Sequence, residues 1–160
     1  MRILALFFLL ILSHIDSFGQ SPALKKGLPM IDLTLIDGDR YTNRDVKSGP
    51  LVLIYFSPDC DHCQQFISSL LQRESLIKKR QVLLASFVEV DQLARFGIGL
   101  GINRYPDLKM GTEGESFRIA RALGIRKFPY IALYDSARNL IRTFEGEQPF
   151  GVIVEAIEKM

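Results

Sequence analysis

The sequence predicts an α/β domain: a central mixed sheet sandwiched by helices, with an N-terminal hairpin extension ahead of it. Three observations point there. Leu51-Val52-Leu53-Ile54-Tyr55-Phe56 is an unbroken apolar run, the pattern of a strand covered on both faces. Helix-spaced apolar residues follow it, and a second apolar run follows them, so strand and helix alternate. The chain then closes with an apolar strand, a polar turn, a second strand and an amphipathic helix, which adds an antiparallel pair to the sheet. The length of 160 residues and a hydrophobic content of 48% fit one globular domain.

That domain is expected over residues 20–160. Residues 1–19 read as a signal peptide: Arg2 supplies a basic start, Ile3 to Leu12 an apolar core, and Ser17 and Gly19 the small residues of a cleavage site. The apolar run is too short for a bilayer, which takes about 20 residues. An uncleaved anchor is the alternative, and after cleavage no stable membrane insertion is expected. Loss of the segment removes one base, Arg2, and one acid, Asp16, and leaves the net charge at +2. So small a charge gives no electrostatic case for nucleic acid.

Taken in order, Leu28 to Leu35 alternates partly and ends at the turn Asp37-Gly38-Asp39, the expected hairpin. Ser48-Gly49-Pro50 breaks the chain before the strand Leu51 to Phe56. Ser57 or Asp59 is placed to cap a helix, with Pro58 at its first turn. Phe66, Ile67, Leu70, Leu71 and Ile77 form its core stripe. Residues 82–90 give a second buried strand. The glycine-rich stretch Asp91 to Gly114 predicts only short elements and loops. Ser116 to Leu123 reads as a short helix stopped by Gly124. Phe128-Pro129 opens the strand Tyr130 to Tyr134, Leu140 to Phe144 is its partner, and a last helix from Pro149 to Glu158 turns Val152, Ile153, Ala156 and Ile157 inward.

The chemistry lies in Cys60-Asp61-His62-Cys63, the two cysteines of the chain. A disulfide across two intervening residues closes almost no loop, so it restrains the unfolded chain little and is a poor staple. It is a good redox centre, because the second thiol always stands within reach of a mixed disulfide on the first. A thiolate is the nucleophile, and the start of a helix favours it through free backbone amides and the macrodipole. Cys60 is therefore the expected nucleophile and Cys63, a turn deeper, the resolving thiol. His62, when protonated, favours the Cys60 thiolate, while Asp59 and Asp61 oppose it.

The strand, the CxxC, the helix and the later Phe128-Pro129 at a strand start together resemble the thioredoxin superfamily. The hairpin leader, Gly27-Leu28-Pro29 through Asp37-Gly38, is similar to the exported TlpA/ResA-like thiol–disulfide oxidoreductases, with the peroxiredoxins beside them. The resemblance spans roughly residues 27 to 158. It implies a thioredoxin-like fold, a redox-active Cys60–Cys63 disulfide, and a cis Pro129 facing it, with the backbone of Phe128 pairing with substrate. It further implies protein thiols or disulfides as substrates and a redox partner protein; a monomer is expected, and the signal peptide gives the expected location as the periplasm. Three positions depart from the family. Asp59 stands where tryptophan is usual, Ile54 where thioredoxin buries an acid six residues before the first cysteine, and Phe66 where ResA-like reductases carry glutamate. A histidine before the second cysteine is similar to the oxidising and isomerising members.

Two rival readings share the fold: a copper metallochaperone and a non-catalytic binding module. After signal removal His62 is the remaining histidine, and it shares a turn with both cysteines, so no metal is expected. Gln64, where haem attachment needs histidine, excludes that chemistry. No phosphate loop or nucleotide fingerprint appears, and no cofactor is implied.

Overall fold

The computed structural model describes residues 27–160, so the signal-peptide segment lies outside the described residues. The strands are β1 (Asp32–Leu35), β2 (Arg40–Thr42), β3 (Leu51–Tyr55), β4 (Gln81–Ser86), β5 (Leu108–Thr112), β6 (Tyr130–Tyr134) and β7 (Leu140–Glu145). The helices are α1 (Asp61–Leu71), α2 (Glu74–Lys78), α3 (Val90–Leu100), α4 (Arg118–Leu123) and α5 (Phe150–Glu158). The strands form one mixed sheet in the order β2-β1-β5-β4-β3-β6-β7. β3, β4 and β5 run parallel, whereas β6 and β7 return antiparallel beside β3. The β1–β2 hairpin extends the sheet by pairing antiparallel with β5. The expected architecture is present, hairpin extension included.

The continuous apolar strands follow from burial on both sides. Val52, Ile54 and Phe56 join one core cluster with Phe66, Ile67 and Leu70 of α1, Leu93 of α3, and Ile153, Val154 and Ile157 of α5. Leu51, Leu53 and Tyr55, on the alternate positions, join the other with Ile119 and Leu123 of α4 and Leu33 and Leu35 of β1. The polar ends are also tied down: Arg40 forks onto Asp32 at 2.8 and 3.0 Å. The hydrogen bond from Arg40 holds the Asp32 carboxyl below its ordinary value, with Arg118 adding to it.

Four sequence expectations need correction. Val90 does not end a strand; it begins α3. The glycine-rich stretch from Asp91 holds more than short elements and loops, because the eleven-residue α3 fills its first part, ahead of the short strand β5. Gly97 there is a contact residue: a Cβ on it would lie 2.9 Å from Ile36 Cδ1 and 3.2 Å from Met110 Sδ. The helix ends at Gly101, whose φ of 66° is the left-handed stop. Ile77 belongs to α2, after a break at Gln72 and Arg73. Val152 is 41% exposed; Val154 takes the inward place with Ile153 and Ile157.

Gly111 and Gly97 should respond differently to alanine. At Gly111 a Cβ meets the Thr34 backbone oxygen at 2.9 Å and Leu33 Cβ at 3.1 Å, groups that move only with strand β1. Gly111→Ala should cost about 2 kcal/mol or more through overpacking. At Gly97 the blocking atoms end flexible side chains, and alanine gains about 1 kcal/mol of helix propensity, so the net change should be near zero. Urea midpoints of the two variants check this, and the reverse order would contradict it.

Candidate active site

β3 delivers the chain to the top of the sheet, where the Phe56 amide still donates to Ala85 O at 3.0 Å. Ser57-Pro58-Asp59 then turn. The Cys60 amide donates to Ser57 O at 3.2 Å, and Gln64 Nε2 donates to Pro58 O at 2.6 Å, which ties the turn to the helix. Neither Ser57 nor Asp59 caps α1. Cys60 is the N-cap itself: its backbone is extended and its Sγ accepts the Cys63 amide at 3.2 Å. A serine cap works in the same way, with sulfur here in the place of the hydroxyl oxygen.

Cys60 and Cys63 are joined as a disulfide, with Cα atoms 5.2 Å apart. Cys63 is wholly buried among the core side chains of α1 and β3, while Cys60 is half-buried at the surface. Asp61 and His62 are exposed on the first turn. His62 Nε2 lies 3.7 Å from the Glu147 carboxylate, an ion pair whenever the imidazole is protonated. Asp59 faces α3 and accepts from Gln92 Nε2 at 3.2 Å. The first-turn carboxylate Asp61 suits the positive end of α1.

The Phe128–Pro129 bond is cis. Pro129 is buried, and its carbonyl accepts the Gly146 amide at 3.0 Å. Among the described residues, neither backbone group of Phe128 has a hydrogen-bond partner. The segment before it is anchored instead: Glu145 Oε1 accepts the amides of Arg126 and Lys127 at 2.6 and 2.9 Å. Pro129 and His62 line one cleft of about 160 Å³ with Phe66, Glu147 and Phe150. The structure thus brings Pro129 and His62 together, and Phe128 and Cys60 against the same core cluster.

The departing positions are filled by packing. Ile54 is fully buried under the site, and Phe66 meets Phe150 edge-on with ring centroids 5.6 Å apart. A larger cavity of about 460 Å³ opens between the hairpin and the start of α4, lined by Asp32, Arg40, Glu113 and Arg118. Its arginines are both paired with Asp32, and no cysteine lines it. Among the described residues no group of three or more His, Cys, Asp or Glu side chains is placed to hold a metal ion, and no helix is long and apolar enough to cross a membrane.

Sequence reasoning missed three features here. Glu147 reaches His62 from the loop before α5, a pairing no local pattern announces. Glu113 is a buried carboxylate that accepts the Tyr55 hydroxyl at 2.7 Å and the Ile119 amide at 2.8 Å. Phe87, Phe117 and Phe128 come from separate segments and meet as a ladder of rings.

A disulfide at the first turn of a helix, behind a buried parallel strand, with a cis proline lining the same cleft as His62 of that turn, defines a thiol–disulfide oxidoreductase site on a thioredoxin-like scaffold. The chain belongs to the thioredoxin-like domain family, whose pattern matches residues 44–160. No sequence among curated proteins matches it. Solved structures resemble it in fold. A secreted Mycobacterium tuberculosis disulfide oxidoreductase homologous to E. coli DsbE superposes with a TM-score of 0.68 at 13% identity, over 81% of this chain and 96% of the other. Copper-bound ScoI from Arabidopsis thaliana gives 0.65 at 17% identity, over 83% and 96%. The exposed lipoprotein thioredoxin Etrx1 from Streptococcus pneumoniae gives 0.59 at 20% identity, over 82% and 99%.

Proposed function

We propose that the protein is an exported thiol–disulfide oxidoreductase that exchanges disulfides with protein substrates through Cys60 and Cys63. One observation carries the reading: Cys60 is partly exposed and its Sγ accepts a helix N-terminal amide, while Cys63 is buried a turn further on. In the reducing direction the Cys60 thiolate attacks one sulfur of a substrate disulfide. A mixed disulfide forms and a substrate thiolate leaves. Cys63, having lost its proton, attacks Cys60 Sγ; the Cys60–Cys63 bond forms and the second substrate thiolate leaves. Two electrons pass to the substrate, and the reverse sequence oxidises a dithiol.

Phe128 and Pro129 are the substrate-binding segment in this reading. The free amide and carbonyl of Phe128 suit an extended chain, which adds main-chain hydrogen bonds there. Export rests on the apolar N-terminal segment, with the periplasm as the compartment. A protein redox partner regenerates the dithiol or disulfide. The test is insulin reduction with dithiothreitol as electron source: the protein should accelerate it well above dithiothreitol alone. No acceleration would overturn the reading.

Asp61 and His62 tune the pair. A protonated His62, two residues from Cys60 and on the same turn, stabilises the thiolate and with it the reduced form. His62→Ala should move the alkylation profile of Cys60 toward higher pH, because it removes a positive charge at the helix end. The disulfide should then become less oxidising. Alkylation rates against pH measure this, and an unchanged profile would assign the tuning to Asp61 or the helix terminus.

A further inference from the structure

Running from the residue before the cis proline is a ladder of aromatic rings that the exchange chemistry does not use. The Phe128 ring stacks on Phe87 at 5.6 Å between centroids, and Phe87 meets Phe117 at 5.6 Å. Tyr55 backs both Phe87 and Phe128, at 6.2 and 6.0 Å. Phe87 and Phe128 are half-buried, and the outermost ring, Phe117, is 37% exposed. Phe117 also holds a φ of 45°, a left-handed conformation that bulky residues seldom adopt. It is fixed there from behind, because Glu113 accepts the amides of Ile119 and Ala120 and so clamps the start of α4. A backbone outlier held this firmly, displaying a large apolar ring, points to use of the ring.

Exposed bases outnumber exposed acids in the segments that carry the ladder, although Glu89 lies exposed two residues after Phe87 and Arg118 is paired with Asp32. Arg118, Arg121, Arg126 and Lys127 are exposed on α4 and the segment leading to Phe128, and between Glu113 and Pro129 the exposed carboxylate is Glu115. Phe128 joins the ladder to the active site, since its side chain is a rung and its backbone carries the free amide and carbonyl beside Pro129.

We infer that Phe87, Phe117 and Phe128 form a side-chain subsite for the substrate, which takes an extended segment carrying an aromatic or large aliphatic residue flanked by carboxylates near its reacting cysteine. This deepens the proposed function and rests on it. An extended peptide on Phe128 directs alternate side chains to one face, so a residue near the cysteine can lie on the rings while carboxylates meet the basic rim. Aromatic contacts are common where interfaces are buried, and opposite charge at the rim sets encounter and selectivity.

The experiment uses short peptides, each with one cysteine in a mixed disulfide with glutathione, presented to the reduced protein. One carries phenylalanine two residues from the cysteine with glutamates beside it; a second replaces the phenylalanine by glycine; a third replaces the glutamates by lysines. The phenylalanine–glutamate peptide should show a kcat/KM about 10-fold above the glycine peptide, through a lower KM. Phe117→Ala should bring that ratio close to one, and Phe117→Leu should restore part of it. Raising salt should narrow the gap between the glutamate and lysine peptides. Equal rates for all three peptides with the unaltered protein would overturn the subsite and leave the exchange reading standing. No exchange with any peptide would instead overturn the exchange reading. A dimer in sedimentation that Phe117→Ala dissociates would assign the rings to a second copy of the chain and overturn the peptide subsite.

Discussion

Cys60→Ser will bring disulfide exchange down to the uncatalysed rate, a loss of ~10³-fold or more, because a hydroxyl neither ionises nor attacks sulfur at neutral pH. The structure makes the loss specific to chemistry. Serine is itself a good N-cap, so the Cys63 amide keeps an acceptor and α1 keeps its first turn. Cys63→Ser should behave differently. Cys60 can still attack, but nothing resolves the product, so a single fast step should be followed by a stall. Equal multiple-turnover activity in the Cys60 variant and the parent would remove Cys60 from the mechanism.

The second large effect is on stability and falls at Glu113. Its carboxylate takes the Tyr55 hydroxyl, the Ile119 amide and the Ala120 amide, and it is buried where the sheet meets α4. Tyr55 stays a donor across the working range: burial, and then the hydrogen bond to Glu113, push its ionisation far above the ordinary tyrosine value. Glu113→Ala leaves three donors without an acceptor in the interior. At roughly 1–3 kcal/mol for a buried unsatisfied group, and with partial rescue by water at the helix start, the loss should reach about 3 kcal/mol. Glu113→Gln keeps one acceptor oxygen and should cost about a third of that. Adding Tyr55→Phe to Glu113→Ala should recover part of the loss, since it removes one orphaned donor. Urea unfolding with an unchanged m-value reads all three. A loss below about 1 kcal/mol for Glu113→Ala would show that the clamp is dispensable.

These two sites differ in how far the sequence reveals them. Leu51 to Phe56, the CxxC and Phe128-Pro129 are local patterns: an apolar run, a fixed spacing and a proline at a strand start. Each keeps its meaning in the fold, and the cis bond at Pro129 and the hairpin on β5 follow the resemblance they carry. The cap of α1 was legible only in part, because Ser57 and Asp59 are the usual cap types whereas the sulfur of Cys60 takes the amide. α3 was hidden by its glycines, which read as breakers although Gly97 serves the close approach of Ile36 and Met110. Val152 and Val154 are two residues apart on an apolar helix, and only the direction of α5 decides which turns inward. The Glu113 clamp and the ring ladder draw on residues far apart in the chain, and no spacing announces such contacts. Glu113 in particular sits among glycines where an acid normally reads as a solvated turn.

The central claim is that Cys60 is the sulfur that meets the substrate and Cys63 the sulfur that releases it. Trapping the mixed disulfide tests it most directly. Tagged Cys63→Ser and Cys60→Ser proteins are reduced, presented with a disulfide-bonded protein substrate such as insulin, quenched with acid and alkylated, and the adduct is mapped by mass spectrometry. The account predicts a reducible adduct on Cys60 in the Cys63→Ser protein and little or none on Cys63 in the Cys60→Ser protein, whose thiol is buried. Adducts of equal yield in the two variants, or an adduct found on Cys63 alone, would contradict it.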